Sequence, residues 1–406
     1  MVFEELKGSM RITNLRATPI AVPLKKRSPS EAQKYLQSVL VEVFTDEGIV
    51  GIGESHAALG ADVTKLILES VKGLILHEDP TDVEVLKKRL YAACSLTHLH
   101  IHAANWALSG IDMALWDIVG KASRKPLHEI WGGAFRRRIE YYGAISRTNP
   151  KDVAEQAKEL LDEGFKTLYL KVGFDPEEDL ECIRAIGEVA STYDRRIEIR
   201  VDANQAWSPG EAIRIINKMA RFDLELVDQP TLMYDLEGLA RVRKAVGVPI
   251  ASHESSWTFY NVLNIIRYGA ADVIHIDPRF DAGFMGARIS AGIAEAAGLP
   301  VLTHEWAMLG VSTAAYMQLI ASTPNFTLAN QGGCRSLADD VIKGGPLRLR
   351  EGHLDLPEGP GIGVELDPEK VERYGRLYDE TFKGKGFSKE DATVYQLMAY
   401  RSFFRS

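Results

Sequence analysis

Apolar and polar positions follow two different patterns along the chain, and the pattern changes near residue 135. Before that point, "QSVLVEVFTDEGIVGIGES" alternates apolar and polar residues around the turn signal "DEG", and helical patterns follow. Beyond it, eight short apolar runs, from "IEYYGAI" to "FTLANQ", alternate with charged amphipathic segments such as "DVAEQAKELLDEG". That alternation predicts parallel strands joined by crossover helices, and eight strands favour a closed barrel over an open sheet.

The chain therefore divides into three predicted parts. Residues 1–135 form an α+β domain, residues 136–350 form a (β/α) barrel, and residues 351–406 pack back on the first domain. The glycine-rich phosphate loop that follows the first strand of a dinucleotide-binding sheet is missing, which also argues against a doubly wound fold.

Composition excludes several classes of protein. The 406 residues are 46% apolar and 26% charged, as in ordinary soluble proteins, and the net charge of −8 argues against nucleic-acid binding. No apolar run approaches the length of a membrane span, and no secretory signal is recognisable. The three cysteines are odd in number and far apart, so we expect a reducing cytoplasm and no disulfide framework.

Polar side chains end the strands of the predicted barrel, about one βα unit apart. They are Lys171, Asp202 with Asn204, Asp228, Glu254, Asp277 and His304. Taken singly, each is explained as a turn former, a helix cap or a solvated residue. Their occurrence on six consecutive strand ends is different, because closing the barrel brings them to the C-terminal rim, where barrel enzymes place their chemistry.

Three carboxylates on adjacent strands, Asp202, Asp228 and Glu254, would repel one another without a cation. The donors are oxygens, which favours Mg²⁺, and zinc is disfavoured because the predicted cluster lacks its usual His/Cys set. Asp277 can orient His304 and raise its basicity, and Lys171 lies on the other side of the carboxylates. This arrangement suits abstraction of the proton α to a carboxylate, with a metal that stabilises the enediolate intermediate.

Two long motifs carry a resemblance to a known family. They are "ALSGIDMALWDIVGK" (107–121), followed by "PLHEIWGG", and "VDANQAW", leading to "LVDQP". With them the chain resembles the enolase superfamily, in its mandelate racemase branch, over nearly its whole length. The resemblance implies a capping domain over a (β/α)7β barrel and Mg²⁺ bound at positions 202, 228 and 254. It also implies an Asp277–His304 dyad and makes Lys171 the second lysine of a Lys-x-Lys pair.

The chain departs from that family in three places. Position 228 is Asp where Glu is usual, position 169 is Tyr instead of the first lysine, and "TLANQGG" lacks the glutamate of a mandelate racemase. The last two departures argue against mandelate racemase activity itself. Strand alternation puts Tyr169 and Lys171 on one face. Tyrosine cannot depress the pKa of Lys171 by like-charge repulsion, so Lys171 is left open as a base, an acid or a hydrogen-bond donor.

Further candidates concern the substrate. Lys25, Arg27 and His56 lie in cap loops expected to close over the barrel mouth, although the basic run also fits a solvated face. Asn204 and Trp306 are candidate contacts on the barrel side. His253 is ambiguous, because alternation turns it away from the metal if Glu254 faces the metal.

Several functions remain open at this stage. We favour dehydration of an acid sugar to a 2-keto-3-deoxy acid, because the resemblance implies a branch in which such dehydratases are common. The alternatives are a racemase or epimerase, a cycloisomerase, which Asp277 disfavours, and an inactive metal-binding barrel. We expect a cytoplasmic homo-oligomer that takes a small-molecule carboxylate and binds neither nucleic acid nor membrane.

Overall fold

The computed structural model describes residues 10–25, 34–57, 60–95, 101–281, 283–305 and 308–385. Two large apolar cores organise these residues, one in the N-terminal part and one around the barrel. No helix in the described ranges is both long enough and apolar enough to cross a lipid bilayer.

The N-terminal part is an antiparallel sheet covered by helices. The predicted hairpin around "DEG" is present, and the sheet order follows the chain. Its elements are β1 (Ile12–Pro23), β2 (Tyr35–Thr45), β3 (Val50–His56), α1 (Ala61–Val71), α2 (Val83–Cys94), α3 (Ile101–Ser123) and α4 (Leu127–Ile130). Buried positions alternate with less buried ones along parts of β1, which explains why one face of that strand carries the core residues.

Glycines allow β3 to approach the backbone of α3 closely. A Cβ atom at Gly53 would collide with the carbonyl oxygen of Gly110, and one at Gly51 would collide with that of Ala114. The same helix carries Asp117, whose carboxylate accepts a hydrogen bond from the backbone N–H of Ile52 at 2.9 Å. The "ALSGIDMALWDIVGK" motif therefore fixes the helix against the sheet of the cap.

The second part begins with β4 (Arg138–Glu140) and continues as a parallel sheet of seven strands in chain order. Those strands are β5 (Gly143–Ile145), β6 (Thr167–Lys171), β7 (Glu198–Asp202), β8 (Leu226–Asp228), β9 (Ile250–Ser252), β10 (Val273–Ile276) and β11 (Val301–Thr303). The helices between and after them are α5 (Pro150–Asp162), α6 (Pro176–Ala190), α7 (Pro209–Met219), α8 (Leu236–Ala245), α9 (Phe259–Tyr268), α10 (Phe284–Ala296) and α11 (Gly310–Ala321).

The eighth predicted strand, 326–331, is an irregular segment in the structure. Its residue Asn330 nevertheless joins the two edges of the sheet. The backbone of Asn330 exchanges hydrogen bonds with Glu140 (2.8 Å) and Tyr142 (2.9 Å), and its side-chain oxygen accepts from the Thr303 N–H at 2.9 Å. Because a side chain replaces the backbone acceptor on one edge, the segment forms no regular ladder. The predicted fold class, a modified barrel with an N-terminal α+β domain, is confirmed.

The described end of the chain returns to the cap. β12 (His353–Asp355) pairs with β4, and α12 (Pro368–Thr381) lies against β1, with Tyr378 and Phe382 in the core of the cap. The boundaries at residues 135 and 350 stay predictions.

We expect Gly53→Ala to lower the free energy of unfolding by about 1–3 kcal/mol, because the methyl group must force β3 away from α3. Gly187→Ala is the control, since Gly187 lies within α6 and a Cβ there meets nothing within 4 Å. That substitution should raise stability by about 0.5–1 kcal/mol. Thermal unfolding of both variants measures the difference, and equal behaviour would contradict the close approach.

Candidate active site

Two layers of side chains fill the barrel, and the upper layer is polar. The lower layer is a buried cluster of Tyr142, Tyr169, Leu226, Ala251, Val273, Leu302 and Ala329. Alternate strand residues face the same side, so the residue two positions after a lower-layer residue belongs to the upper layer. The polar residues placed in this way are Lys171, Asp228, His253, His275, His304 and Gln331, and Asp202 at the end of β7 lies beside them.

Asp202 is the most heavily bonded carboxylate of this layer. It is fully buried, and it is the register partner of both Lys171 and Asp228. Its Oδ2 accepts from the Tyr169 hydroxyl and the Lys171 ammonium, and its Oδ1 accepts from the Asn204 N–H at 2.6 Å. Burial opposes ionisation of Asp202, but Lys171 and its other partners outweigh burial and hold the pKa of Asp202 below its usual value.

Lys171 forms an ion pair with Asp202. Its Nζ also donates to Asn204 Oδ1 at 3.0 Å. Burial alone would lower the pKa of Lys171, but the carboxylates of Asp202, Glu254 and Asp228 raise that pKa above the usual value. Tyr169 shares the same acceptor and stacks on Tyr142, with ring centroids 4.6 Å apart. The two side chains therefore lie on one face, and Lys171 is an ammonium at neutral pH.

Asp228 and Glu254 have oxygens that accept no hydrogen bond from a described residue. Asp228 is fully buried and its Oδ1 has no partner among the described residues, while its Oδ2 lies 2.9 Å from Nε2 of His275. Burial, followed by the charge of Asp202, raises the pKa of Asp228 to about 7. Glu254 accepts from Asn204 on one oxygen, while its Oε2 has no such partner among the described residues.

Asn204 joins two of the three carboxylates. Its backbone is in the left-handed region at φ 48°, a conformation that asparagine tolerates better than most residues. This turn aims its N–H at Asp202 and its side-chain amide at Glu254. Asn204 therefore connects Asp202 with Glu254, whereas the described ligand atoms that lie within 4.8 Å of one another belong to Asp228, His253 and His275.

The structure contains the Asp277–His304 pair, and two further side chains donate hydrogen bonds to Asp277. His304 Nδ1 lies 2.9 Å from Asp277 Oδ2. Arg279 Nη2 donates to the same carboxylate at 2.6 Å, and the Tyr316 hydroxyl donates at 2.5 Å. Burial opposes ionisation of Asp277, but Arg279 and His304 hold its pKa far below the usual range. The predicted pair is thus a buried cluster of four residues.

His304 is neutral in this environment. Burial lowers the pKa of His304 to about 4, although the hydrogen bond with Asp277 acts in the opposite direction. An ionised carboxylate only accepts hydrogen bonds, so Nδ1 carries the proton and Nε2 carries the free lone pair. His304 can therefore receive a proton at Nε2 at neutral pH.

The expectation that His253 faces away from the site was wrong. Its ring centroid lies 4.5 Å from that of His275 and 4.3 Å from that of His304. β9 ends at Ser252, and a tight turn at Glu254–Ser256 lets His253 and Glu254 face the site together. Alternation from Ala251 thus holds for His253 and fails at Glu254, because it applies only while the chain is extended.

Two further candidate substrate contacts, His56 and Lys25, lie in the described part of the chain. His56 packs edge-on against Trp106, with ring centroids 5.2 Å apart. Burial lowers the pKa of His56 to about 3, and the charges of Arg279 and His304 act in the same direction. Lys25 is exposed, and its backbone N–H donates to Ser336. Arg27 and Trp306 lie outside the described residues.

Sequence reasoning missed Arg279, Tyr316 and His275. Arg279 follows Asp277 within the "DPRF" run and could have been noticed there. His275 alternates with Asp277 on β10, so the strand pattern already placed it inside the barrel. Tyr316 lies on α11, far along the chain, and carried no such signal.

Known families match both parts of the chain. Residues 12–132 match the N-terminal domain of mandelate racemase / muconate lactonizing enzyme, and residues 152–371 match the enolase C-terminal domain-like family.

Individual relatives span several reactions. An L-Ala-D/L-Glu epimerase from Bacillus subtilis is 31% identical over 87% of this chain and 97% of the relative. An arabinonate dehydratase from Saccharolobus solfataricus is 28% identical over 84% of this chain and 92% of the relative. The crystal structure of 2-chloromuconate cycloisomerase from Rhodococcus opacus matches with a TM-score of 0.80 and 28% identity, covering 90% of this chain and 99% of that one.

The dyad cluster predicts opposite shifts for two substitutions in metal-free protein. Arg279→Met should raise the pKa of His304, because the neighbouring positive charge is removed. Asp277→Asn should lower it, because the carboxylate that favours the imidazolium is lost. NMR titration of labelled histidine measures both, with exposed His77→Asn as the reference for assignment. Shifts of the same sign would contradict the cluster.

Proposed function

This chain belongs to the mandelate racemase / muconate lactonizing enzyme family of the enolase superfamily, and from that membership we propose that it removes the proton α to a carboxylate with the help of Mg²⁺. Its relatives are enzymes, and so is this chain. We propose dehydration of an acid sugar as its reaction. The observation that carries this proposal is a neutral, oriented His304 opposite an ammonium at Lys171.

Members of this family generally use Mg²⁺, and the carboxylates here fit such an ion. Asp202, Asp228 and Glu254 would hold it, since Asp228 Oδ1 and Glu254 Oε2 accept no hydrogen bond from a described residue. A bound Mg²⁺ supplies positive charge where the substrate carboxylate gains negative charge. Asp228 is one methylene shorter than the usual glutamate, so its carboxylate reaches less far from β8 into the site.

His304 moves the proton in this proposal. Its Nε2 takes the α-proton as the C–H bond at C2 breaks, and the resulting imidazolium returns a proton to the hydroxyl on C3. The C3–O bond breaks, water leaves, and the enol becomes the 2-keto-3-deoxy acid. Asp277 orients the ring throughout, while Arg279 and Tyr316 keep Asp277 ionised and in place.

Dehydration needs one base that later serves as an acid, whereas two-base racemisation needs a second base on the other face. Lys171 is held as an ammonium by Asp202, which favours the reaction with a single base. Lys171 and Tyr169 then position Asp202 and supply donors on the far face of the site. The arabinonate dehydratase among the relatives supports an acid sugar as the substrate class.

Epimerisation is the second candidate. It requires that Lys171 act as a second base, and therefore that Lys171 give up its ion pair with Asp202 and lose a proton. The epimerase relative supports this reaction, and the cycloisomerase relative supports a third, which needs no second base.

The remaining proposals concern the substrate, the assembly and cellular location of the protein, and the division of the chain. We propose a small-molecule carboxylate substrate, bound beneath cap residues that include His56, and a cytoplasmic homo-oligomer. Lys25, Arg27 and Trp306 stay proposals as substrate contacts, and so does division of the chain at residues 135 and 350.

Exchange of the α-proton in D₂O, with and without Mg²⁺, tests the proposal across acid sugars, α-hydroxy acids and dipeptides. We expect Mg²⁺-dependent exchange and release of a 2-keto-3-deoxy product with an acid sugar. His304→Asn should reduce exchange by at least about a hundredfold, the usual size of a general acid–base contribution.

Lys171→Met separates the two reaction classes. A dehydratase with one base keeps measurable exchange at C2 in this variant, whereas an epimerase loses exchange of one enantiomer only. Lys166→Met is the matched control, because Lys166 lies at the opposite end of β6 and pairs with Glu140. Exchange without product release would contradict dehydration, and no exchange with any substrate would contradict the proposed chemistry.

A further inference from the structure

A second group of ligand atoms lies beside the predicted metal carboxylates. It consists of Asp228, His253 and His275, which are 0%, 7% and 4% exposed. One ligand atom from each lies within 4.8 Å of the others. The proposed reaction uses the carboxylate of Asp228 but neither imidazole.

The buried nitrogens of this group lack partners. Both ring nitrogens of His253 and Nδ1 of His275 accept or donate no hydrogen bond among the described residues. A buried polar group without a partner costs free energy, which a ligand at that place recovers. His253 alone contributes two such atoms, so ordinary packing does not explain it.

The distances are close to those of a first coordination shell. His275 Nε2 lies 2.9 Å from Asp228 Oδ2, and His253 Nδ1 lies 3.7 Å from the same oxygen. In a tetrahedral site with metal–nitrogen and metal–oxygen bonds of about 2.0–2.1 Å, ligand atoms are roughly 3.3 Å apart. The two observed separations bracket that value.

The available donors are mixed nitrogen and oxygen. Asp202 already accepts hydrogen bonds on both oxygens, and Glu254 accepts one on Oε1. Without a hydrogen bond among the described residues are Asp228 Oδ1, both nitrogens of His253, Nδ1 of His275 and Glu254 Oε2, which lies 3.7 Å from His253 Nδ1. Imidazole suits zinc, cobalt and similar ions, whereas magnesium prefers an all-oxygen shell.

We propose that Asp228, His253 and His275 form a site for a transition-metal dication of the zinc or cobalt type, with Glu254 Oε2 next to it. The histidines correct the view, drawn from the strand ends alone, that the barrel mouth lacks zinc ligands. The site shares Asp228 with the proposed Mg²⁺ site, so the two ions compete for that carboxylate. It rests on the proposed function only through this shared residue.

Metal binding to chelator-treated full-length protein tests the site. We expect one Co²⁺ per chain, with the intense visible absorption of a low-coordinate nitrogen–oxygen site, and displacement of Co²⁺ by Zn²⁺. His275→Asn and His253→Asn should each weaken Co²⁺ and Zn²⁺ binding at least tenfold and change Mg²⁺ affinity less than twofold. His77→Asn, at an exposed histidine of the cap, should change neither.

Zinc X-ray absorption of the unmodified protein gives an independent count of two imidazole ligands, which keeps the test decisive if a variant unfolds. The proposal is overturned if Co²⁺ does not bind, if the histidine variants bind Co²⁺ and Zn²⁺ normally, or if Zn²⁺ has no imidazole ligand. Asp202→Asn separates this site from the proposed function. It should weaken Mg²⁺ binding and Mg²⁺-dependent exchange while Zn²⁺ still binds the histidines.

Discussion

Several carboxylates lie in a part of the barrel that excludes water, and each needs a compensating partner because burial disfavours its charge. Asp202 has an ammonium, a phenol and a backbone N–H. Asp277 has a guanidinium, a phenol and an imidazole. Asp228 has two imidazoles beside one oxygen, and its other oxygen accepts no hydrogen bond from a described residue, so its charge is the least compensated of the three. The three carboxylates therefore differ in how far neighbouring groups compensate their charge.

Another buried carboxylate with hydrogen-bond partners connects the cap to the barrel. Glu54, at the end region of β3, is buried and accepts from the N–H groups of Leu309 and Ser312 at the start of α11. α11 also carries Tyr316, which donates to Asp277. A cap residue thus holds the helix that positions the dyad. His56, two residues further along β3, packs against Trp106 of α3.

The two-layer filling of the barrel explains why chemistry is concentrated at one end. Apolar and aromatic residues close the interior below, and their alternate neighbours present charged and imidazole groups above. Water is excluded from the lower layer, which lowers the local dielectric and strengthens interactions among the upper groups. This packing is what makes His304 a neutral acceptor, and it also leaves His253 and His275 buried beside Asp228.

Periodicity in the sequence determined the seven parallel strands, the cap hairpin and the convergence of six strand-end residues, because strand spacing and closure of a barrel fix which ends meet. It also placed Tyr169 and Lys171 on one face. It could not determine that β9 ends before His253, that Asn330 replaces a strand ladder with a side chain, or that Tyr316 reaches Asp277 from α11. Those contacts depend on where an extended segment stops and on groups far apart along the chain. Only the tertiary structure therefore decided that Lys171 is an ammonium bound to Asp202 and that two histidines stand beside Asp228, since burial and distance set both.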